Sequence, residues 1–178
     1  MKNIDLWIAA ISEAETLAGG ERTRAGRAVG EVLLRAARIP PEKLIRGEHG
    51  KPELPGGPQF SLSHHSGSFA VLAVSDAPMG VDIEPVTARK PIIPRRFLLP
   101  DELEWLGEDP SPERFARLWT RLEAALKADG RGFDLENRDF SVLEEGKPWY
   151  FRTVEYEGHI ISCAAGEEFE LCLRSEGG

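Results

Sequence analysis

Apolar and polar positions change period along the chain, and the changes mark its elements. Asn3–Ile11 is an apolar run compatible with a strand or with the first turns of a helix, the strand being preferred. Ser12-Glu13-Ala14-Glu15 reads as an N-cap with acids in a first helical turn. Across Glu21–Arg38, Ala25, Val29, Val32, Leu33 and Ala36 recur at helical spacing, which predicts an amphipathic helix ended by Ile39-Pro40-Pro41. Gly47–Pro58 is rich in glycine and proline and reads as a loop. Beyond it the period shortens to two. Phe60–Ser63 and Met79–Pro85 alternate, and Phe69–Ser75 between them is almost wholly apolar. With turns at His64–Ser68 and Asp76-Ala77-Pro78, this order predicts antiparallel pairing of the three strands.

Helical spacing then returns. Phe97–Gly107 predicts a short helix from Pro100-Asp101, and Ser111-Pro112 opens the strongest one, with a serine N-cap and proline in the first position. Phe115, Leu118, Trp119, Leu122 and Leu126 form its apolar stripe, and Asp129-Gly130 supplies a left-handed stop. Asp139–Arg174 reads as three or four antiparallel strands, FSVLEE, PWYFRTVEY, HIISCAA and EFELCLR, with Gly146, Gly158 and Gly166 in or near the turns. Each half combines a helix with antiparallel strands. The expected class is therefore α+β, with lobes at 1–86 and 87–178 sharing a cleft.

Composition narrows the choice. The 178 residues suffice for one sizeable domain or two small lobes with a common core. A net charge of −8 disfavours non-specific nucleic-acid binding. No apolar run approaches membrane-spanning length and the N-terminus lacks a signal-peptide pattern, so a cytoplasmic protein is expected. Cys163 and Cys172 lack C-x-x-C spacing; a hairpin turning near Glu167-Glu168 would bring them face to face, and free thiols are the expectation.

Candidate chemistry centres on Met79–Pro85. Asp82 and Glu84 share one strand face, where their repulsion calls for water, basic side chains or a hard cation such as Mg2+. Alone, the pair reads as a solvated face. Glu123, on the strongest helix, adds a third acid, although Glu123 and Lys127 also read as an i, i+4 surface ion pair. His64 and His65 lack further ligands at zinc spacing; an imidazole on phosphate and a structural turn residue both remain open. Arg22, Arg24 and Arg27 read as a solvated face or as a grip on an anion. Arg89, Lys90, Arg95 and Arg96 form the one basic cluster, in a proline-bearing linker.

Four segments carry a resemblance. GKP at Gly50–Pro52, FSLSH at Phe60–His64, GVDIE at Gly80–Glu84 and WTRLEAALK at Trp119–Lys127 occur in that order between roughly Gly50 and Phe133. They resemble the signatures of the large, two-lobed 4'-phosphopantetheinyl transferases, the surfactin-synthetase-activating type. The resemblance implies a pseudo-twofold α+β fold and a monomer. It implies transfer of phosphopantetheine from coenzyme A to a serine of an acyl or peptidyl carrier protein, releasing 3',5'-ADP. It further implies that Asp82, Glu84 and Glu123 hold Mg2+, with Mn2+ as a substitute, and that Glu123 or a relaying water accepts the serine proton. His64 and Lys127 would contact phosphate oxygens, with Ser63 beside them. Lys51 and Pro52 would line the nucleotide, and Arg22 and Arg27 would meet its 3'-phosphate. Arg89, Lys90, Arg95 and Arg96 would dock the carrier protein.

The chain also departs from that pattern. Leu122 stands where the family carries a lysine before the helix glutamate, and Arg121 projects about 100° around the helix from it. His65 is an extra residue in the turn, leaving His64 and His65 interchangeable. Two other functions stay open: a non-catalytic binder of coenzyme A or carrier protein, motivated by Leu122, and another Mg2+-dependent enzyme that cleaves pyrophosphate.

Overall fold

Strand-forming residues with period two build two main sheets beside a small two-stranded one, and two amphipathic helices cover the main pair. A computed structural model describes residues 2–11, 22–47, 50–65, 68–87, 97–130, 138–146 and 148–174, with the backbone alone for 22–25. The N-cap proposed at Ser12 and the basic cluster of Arg89, Lys90, Arg95 and Arg96 lie outside these residues. The elements are β1 (Lys2–Ala10), α1 (Arg22–Ala36), β2 (Ile45–Arg46), β3 (Pro52–Glu53), β4 (Gln59–His64), β5 (Phe69–Ser75) and β6 (Met79–Pro85). There follow α2 (Pro100–Leu106), α3 (Pro112–Asp129), β7 (Tyr150–Tyr156), β8 (His159–Ala165) and β9 (Phe169–Arg174). The fold is α+β. Asn3–Ile11 resolves as a strand.

The first sheet has the order β4-β5-β1-β9 and the second β6-β8-β7. All pairs in them are antiparallel except β1 with β9, which is parallel. Two expectations of pairing fail. β5 does pair with β4, but β6 leaves that sheet and aligns with β8, Asp82 opposite Ser162. β9 does not fold back on β8; it runs beside β1, with Cys172 opposite Asp5. Cys163 lies in the other sheet, so the two cysteines do not face each other; both are free. Burial pushes the Cys163 thiol up to about 12.

The position of β6 follows from its composition. Val81 and Ile83, 0% and 2% exposed, join an apolar cluster with Leu6, Leu33, Val71, Leu72 and Ile161. Its other face meets α3. A strand buried on both faces belongs between layers rather than at the rim of a sheet. The layers run α1, first sheet, second sheet, α3, and a second cluster around Leu118, Leu122, Val142 and Phe151 fills the space beneath α3.

The segment read as FSVLEE is not a strand but a run of bends. Its pairing groups are taken by side chains from the helices. Glu102 accepts from the Val142 N–H at 3.0 Å, and Arg121 donates to the Val142 carbonyl at 3.1 Å. Glu102 is wholly buried and also holds the guanidinium of Arg138, itself 2% exposed, and the Leu99 N–H. The carboxylate therefore staples the start of α2 to the 138–143 segment.

The helices follow local signals. Ser111 caps α3 through the Arg114 N–H at 3.2 Å, and Gly130 ends it at φ 73°, a conformation open to glycine. Gly80 does more for the architecture. A methyl group there would lie 2.0 Å from the Ala124 carbonyl oxygen and 2.6 Å from the Ala128 nitrogen. Only glycine lets the backbone of α3 rest directly on β6. Gly80→Ala must push helix and strand apart, and we expect a loss of about 3 kcal/mol or more. Thermal melting should show a drop of about 10 °C; an unchanged melting temperature would mean that α3 is not seated on β6.

Candidate active site

Alternation along β6 sends Gly80, Asp82 and Glu84 toward α3 and Val81 and Ile83 into the core. The acid pair is not a solvated face, since Asp82 is 5% exposed. Alternation along the neighbouring β4 sorts its residues too. Ser61 and Ser63 turn to β6, where the Ser61 hydroxyl accepts from the Val81 N–H at 3.1 Å and Ser63 donates to Asp82 Oδ1 at 2.7 Å. Leu62 and His64 turn to α1, against Gly30 and Gly26.

Lys127 closes the arrangement from α3. Its ammonium donates to Asp82 Oδ1 at 2.6 Å, to the Ser63 hydroxyl at 3.0 Å and to the Val81 carbonyl at 3.1 Å. The i, i+4 pair with Glu123 is replaced by this pair with Asp82. Lys51 caps the same end of α3. Its ammonium donates to the Lys127 carbonyl at 3.0 Å and to the Met79 carbonyl at 3.3 Å, tying the Gly50–Pro52 loop to helix and strand. Burial lowers the pKa of Lys51.

The carboxylates are short of compensation. Burial raises the pKa of Asp82 against the opposing pull of Lys127 and Ser63, and its buried Oδ2 has no hydrogen-bond partner among the described residues. Glu123 is pushed up to about 7, first by burial and then by the negative charges of Asp82 and Glu84, with Lys127 opposing. Glu84 meets His65 Nδ1 at 3.5 Å. His64 is held below its ordinary value by burial, then by the charges of Lys127 and Arg27, with the neighbouring His65 ring adding least. The two histidines are thus not equivalent in place. His64 stands with the cations and His65 with the acid.

Between these groups lies a cleft of about 290 Å³ whose walls include Lys51, Pro52, Phe60, Leu62, Glu123 and Lys127. A smaller cavity of about 130 Å³ lies behind it, lined by Gly26, Arg27, Ser63 and His64 among others. The site therefore brings together Lys51, Pro52, Ser63, His64, Arg27, Asp82, Glu84, Glu123 and Lys127. The Arg22 side chain lies outside the described residues. Arg121 is turned away and cannot replace a cation at position 122. It donates to Thr153 and the Val142 carbonyl and lies over the Phe151 ring. Leu122 is wholly buried beneath α3.

Sequence reasoning misses Gly26 and Ser61. A methyl on Gly26 would lie 2.1 Å from His64 Cδ2, so this glycine makes room for the imidazole. Its signal is two glycines four residues apart in a helical segment, a spacing that marks one face closely approached. The serine bridge from β4 to β6 has no such signal.

Among the described residues no three histidine, cysteine, aspartate or glutamate side chains are gathered closely enough to hold an ion. The donor chemistry nevertheless fits a hard divalent cation. A buried Asp82 Oδ2 without a partner among the described residues, and a Glu123 raised by burial and then by its acidic neighbours, are what an all-oxygen site shows before its counter-charge is supplied.

The cleft is thus largely apolar, with Lys51, Glu123 and Lys127 in its walls. Residues 78–170 match the model of the 4'-phosphopantetheinyl transferase superfamily. A 4'-phosphopantetheinyl transferase of Bacillus subtilis is 32% identical over 167 residues, covering 79% of this chain and 74% of the relative. The 4'-phosphopantetheinyl transferase psf-1 of Bacillus pumilus is 36% identical over 148 residues, covering 76% and 62%. The 4'-phosphopantetheinyl transferase Sfp of Bacillus subtilis strain 168 is 31% identical over 141 residues, covering 68% and 62%. The chain belongs to the 4'-phosphopantetheinyl transferase superfamily.

The raised carboxyl of Glu123 has a measurable sign. A group that binds its proton more tightly when folded favours folding while protonated. That contribution is lost as pH rises from 4.5 through about 7. In chelator, Glu123→Gln should therefore melt higher than the parent at pH 8, by about 5 °C, and at the same temperature near pH 4.5. Equal melting at both pH values would show that Glu123 is solvated like a surface acid.

Proposed function

We propose that the chain transfers 4'-phosphopantetheine from coenzyme A to a serine of an apo acyl or peptidyl carrier protein, releasing 3',5'-ADP. The observation that carries this reading is the junction of Asp82, Ser63 and Lys127 beside Glu123 at the edge of the apolar cleft. The names of the relatives and the family match support the same reaction.

Asp82, through its unpartnered Oδ2, with Glu84 and Glu123, would hold Mg2+ or Mn2+. Bound there, the ion would neutralise charge on the pyrophosphate as the P–O bond breaks. The chain's own residues do the rest. Lys127, already donating to three oxygens, exchanges one of them for a phosphate oxygen. His64 stands beside Arg27 and Lys127, where burial first and these cations second hold its pKa below the ordinary value; an arriving phosphate offsets the cationic part. Glu123, at the edge of the cleft, takes the serine proton directly or through a water. Pro52, Phe60 and Leu62 accommodate uncharged parts of the ligand, with Arg27, and Arg22 on the same helix, toward the 3'-phosphate.

We read the two sheets with their helices as lobes related by a pseudo-twofold, 1–86 and 87–178, linked by β6 on β8 and β9 on β1. The reading takes the chain as a monomer acting in the cytoplasm. It assigns carrier-protein docking to Arg89, Lys90, Arg95 and Arg96, whose local positive charge offsets the net −8 at short range.

The test is intact-mass spectrometry of an apo carrier protein incubated with the chain, coenzyme A and Mg2+. A gain of one phosphopantetheine is expected, lost with chelator and with Glu123→Ala; no gain on any of several carrier proteins would overturn the assignment. Position 122 supplies a separate check. Leu122→Lys places an ammonium in the core cluster, so it should lower the melting temperature by about 10 °C and raise transfer not at all. Strong activation would show that position 122 reaches the cleft.

A further inference from the structure

His159 opens β8, 9% exposed, far in sequence from every site residue. The connection from β7 is a two-residue turn, Tyr156 opposite His159, with Glu157 at φ 44° and Gly158 at φ 71°. Both lie in the left-handed region that a tight hairpin of this type requires. The turn is anchored to the end of β6, since the Val86 N–H donates to the Gly158 carbonyl at 2.8 Å. Its histidine then reaches across to the other sheet. His159 Nε2 lies 2.9 Å from the Ser68 hydroxyl, and Nδ1 lies 2.9 Å from the Glu157 carbonyl oxygen. A carbonyl only accepts, so Nδ1 carries a hydrogen. In the neutral ring Nε2 is then the acceptor, and the one Ser68 hydroxyl proton goes to it at 2.9 Å in preference to the His65 carbonyl oxygen at 3.3 Å.

Ser68 and Phe69 end the connection from β4 to β5, and His64 and His65 begin it. Ser68 donates its N–H to the His65 carbonyl at 3.2 Å, and His65 donates its own to the Phe69 carbonyl at 3.0 Å. The Phe69 ring is met edge-on by His159 at 5.0 Å and by Tyr156 at 5.4 Å. The hairpin tip thus grips the far end of the connection, while its near end presents His65 to Glu84 at 3.5 Å. Val86, held by the same tip, lies two residues beyond Glu84. One hairpin therefore sets the position of both partners.

We propose that His159 is a positioning residue for the coenzyme A phosphates, holding through Ser68 the far end of the connection whose near end carries His64 and presents His65 to Glu84. The inference rests on the transferase reading above. It differs from a plain structural role in one respect: loss of the His159–Ser68 bond should loosen the nucleotide end of the site alone.

The experiment is calorimetric titration of coenzyme A with Mg2+ present, together with transfer kinetics read by intact mass. His159→Leu and Ser68→Ala should each weaken coenzyme A binding roughly three- to tenfold, the range one hydrogen bond commands. The double variant should be no weaker than the worse single one, because both remove the same bond. The KM for carrier protein should stay unchanged, and His159→Gln, which keeps a group able to reach Ser68, should recover most of the affinity. Binding by both single variants equal to the parent's would overturn the inference, as would additive losses or an equal rise in the KM for carrier protein. Should His159→Leu fail to fold, Ser68→Ala, which removes one hydroxyl, decides the question alone. A parent chain that neither binds coenzyme A nor modifies a carrier protein fails the transferase reading, and the inference falls with it.

Discussion

The contact between the backbone of α3 and β6 is the constraint on which the rest depends. It exists because position 80 has no side chain, and it brings the last turns of the helix against the acidic face of the strand. At that distance Lys127 reaches Asp82, Ser63 and the Val81 carbonyl together. A carboxylate at 5% exposure is intolerable without such compensation. The helix cation that makes β6 tolerable is therefore also the cation at the edge of the cleft. Fold and site share one interaction, and a loosened helix would lose both.

Much of this was legible in the residues, and the parts that were not have a common cause. Period and caps mark α3 because helix signals are local: Ser111, Pro112 and Gly130 act on neighbours within a turn. The alternation of Met79–Pro85 likewise fixes which side chains share a face. Partner choice is not local. Val81 and Ile83 report burial without saying against which sheet, so the crossing of β6 to β8 and of β9 to β1 escapes the pattern. The FSVLEE segment shows the opposite error. Its strand-like residues are real, but Glu102 and Arg121 occupy the backbone groups that a sheet would need.

The candidate site divides in the same way. Asp82, Glu84, Glu123, Lys127, Ser63 and His64 are legible because motif order places them, and the chain brings them together. Their charge states are not legible, because these depend on burial. Nothing in an i, i+4 glutamate and lysine says that the lysine will turn to another strand, leaving the glutamate to rise toward neutrality. The acid that looks like half of a surface pair becomes a partly buried carboxyl in the wall of the cleft.

The division of labour along α3 explains why Leu122 need not weaken the site. Successive residues on a helix point about 100° apart, so positions 121, 122 and 123 serve three different surroundings. Arg121 is spent on Thr153, the Val142 carbonyl and the Phe151 ring, and Leu122 on the core beneath the helix. Of the charged residues of α3, Glu123 and, one turn on, Lys127 line the cleft. A cation absent from position 122 is thus a cation absent from the core, where it would have been a burden. Further positive charge comes from outside the helix motif: from Lys51, which donates to the Lys127 carbonyl, and from Arg27 beside His64. Helix α3 brings Glu123 and Lys127 to the cleft, the Gly50–Pro52 loop brings Lys51, and α1 brings Arg27.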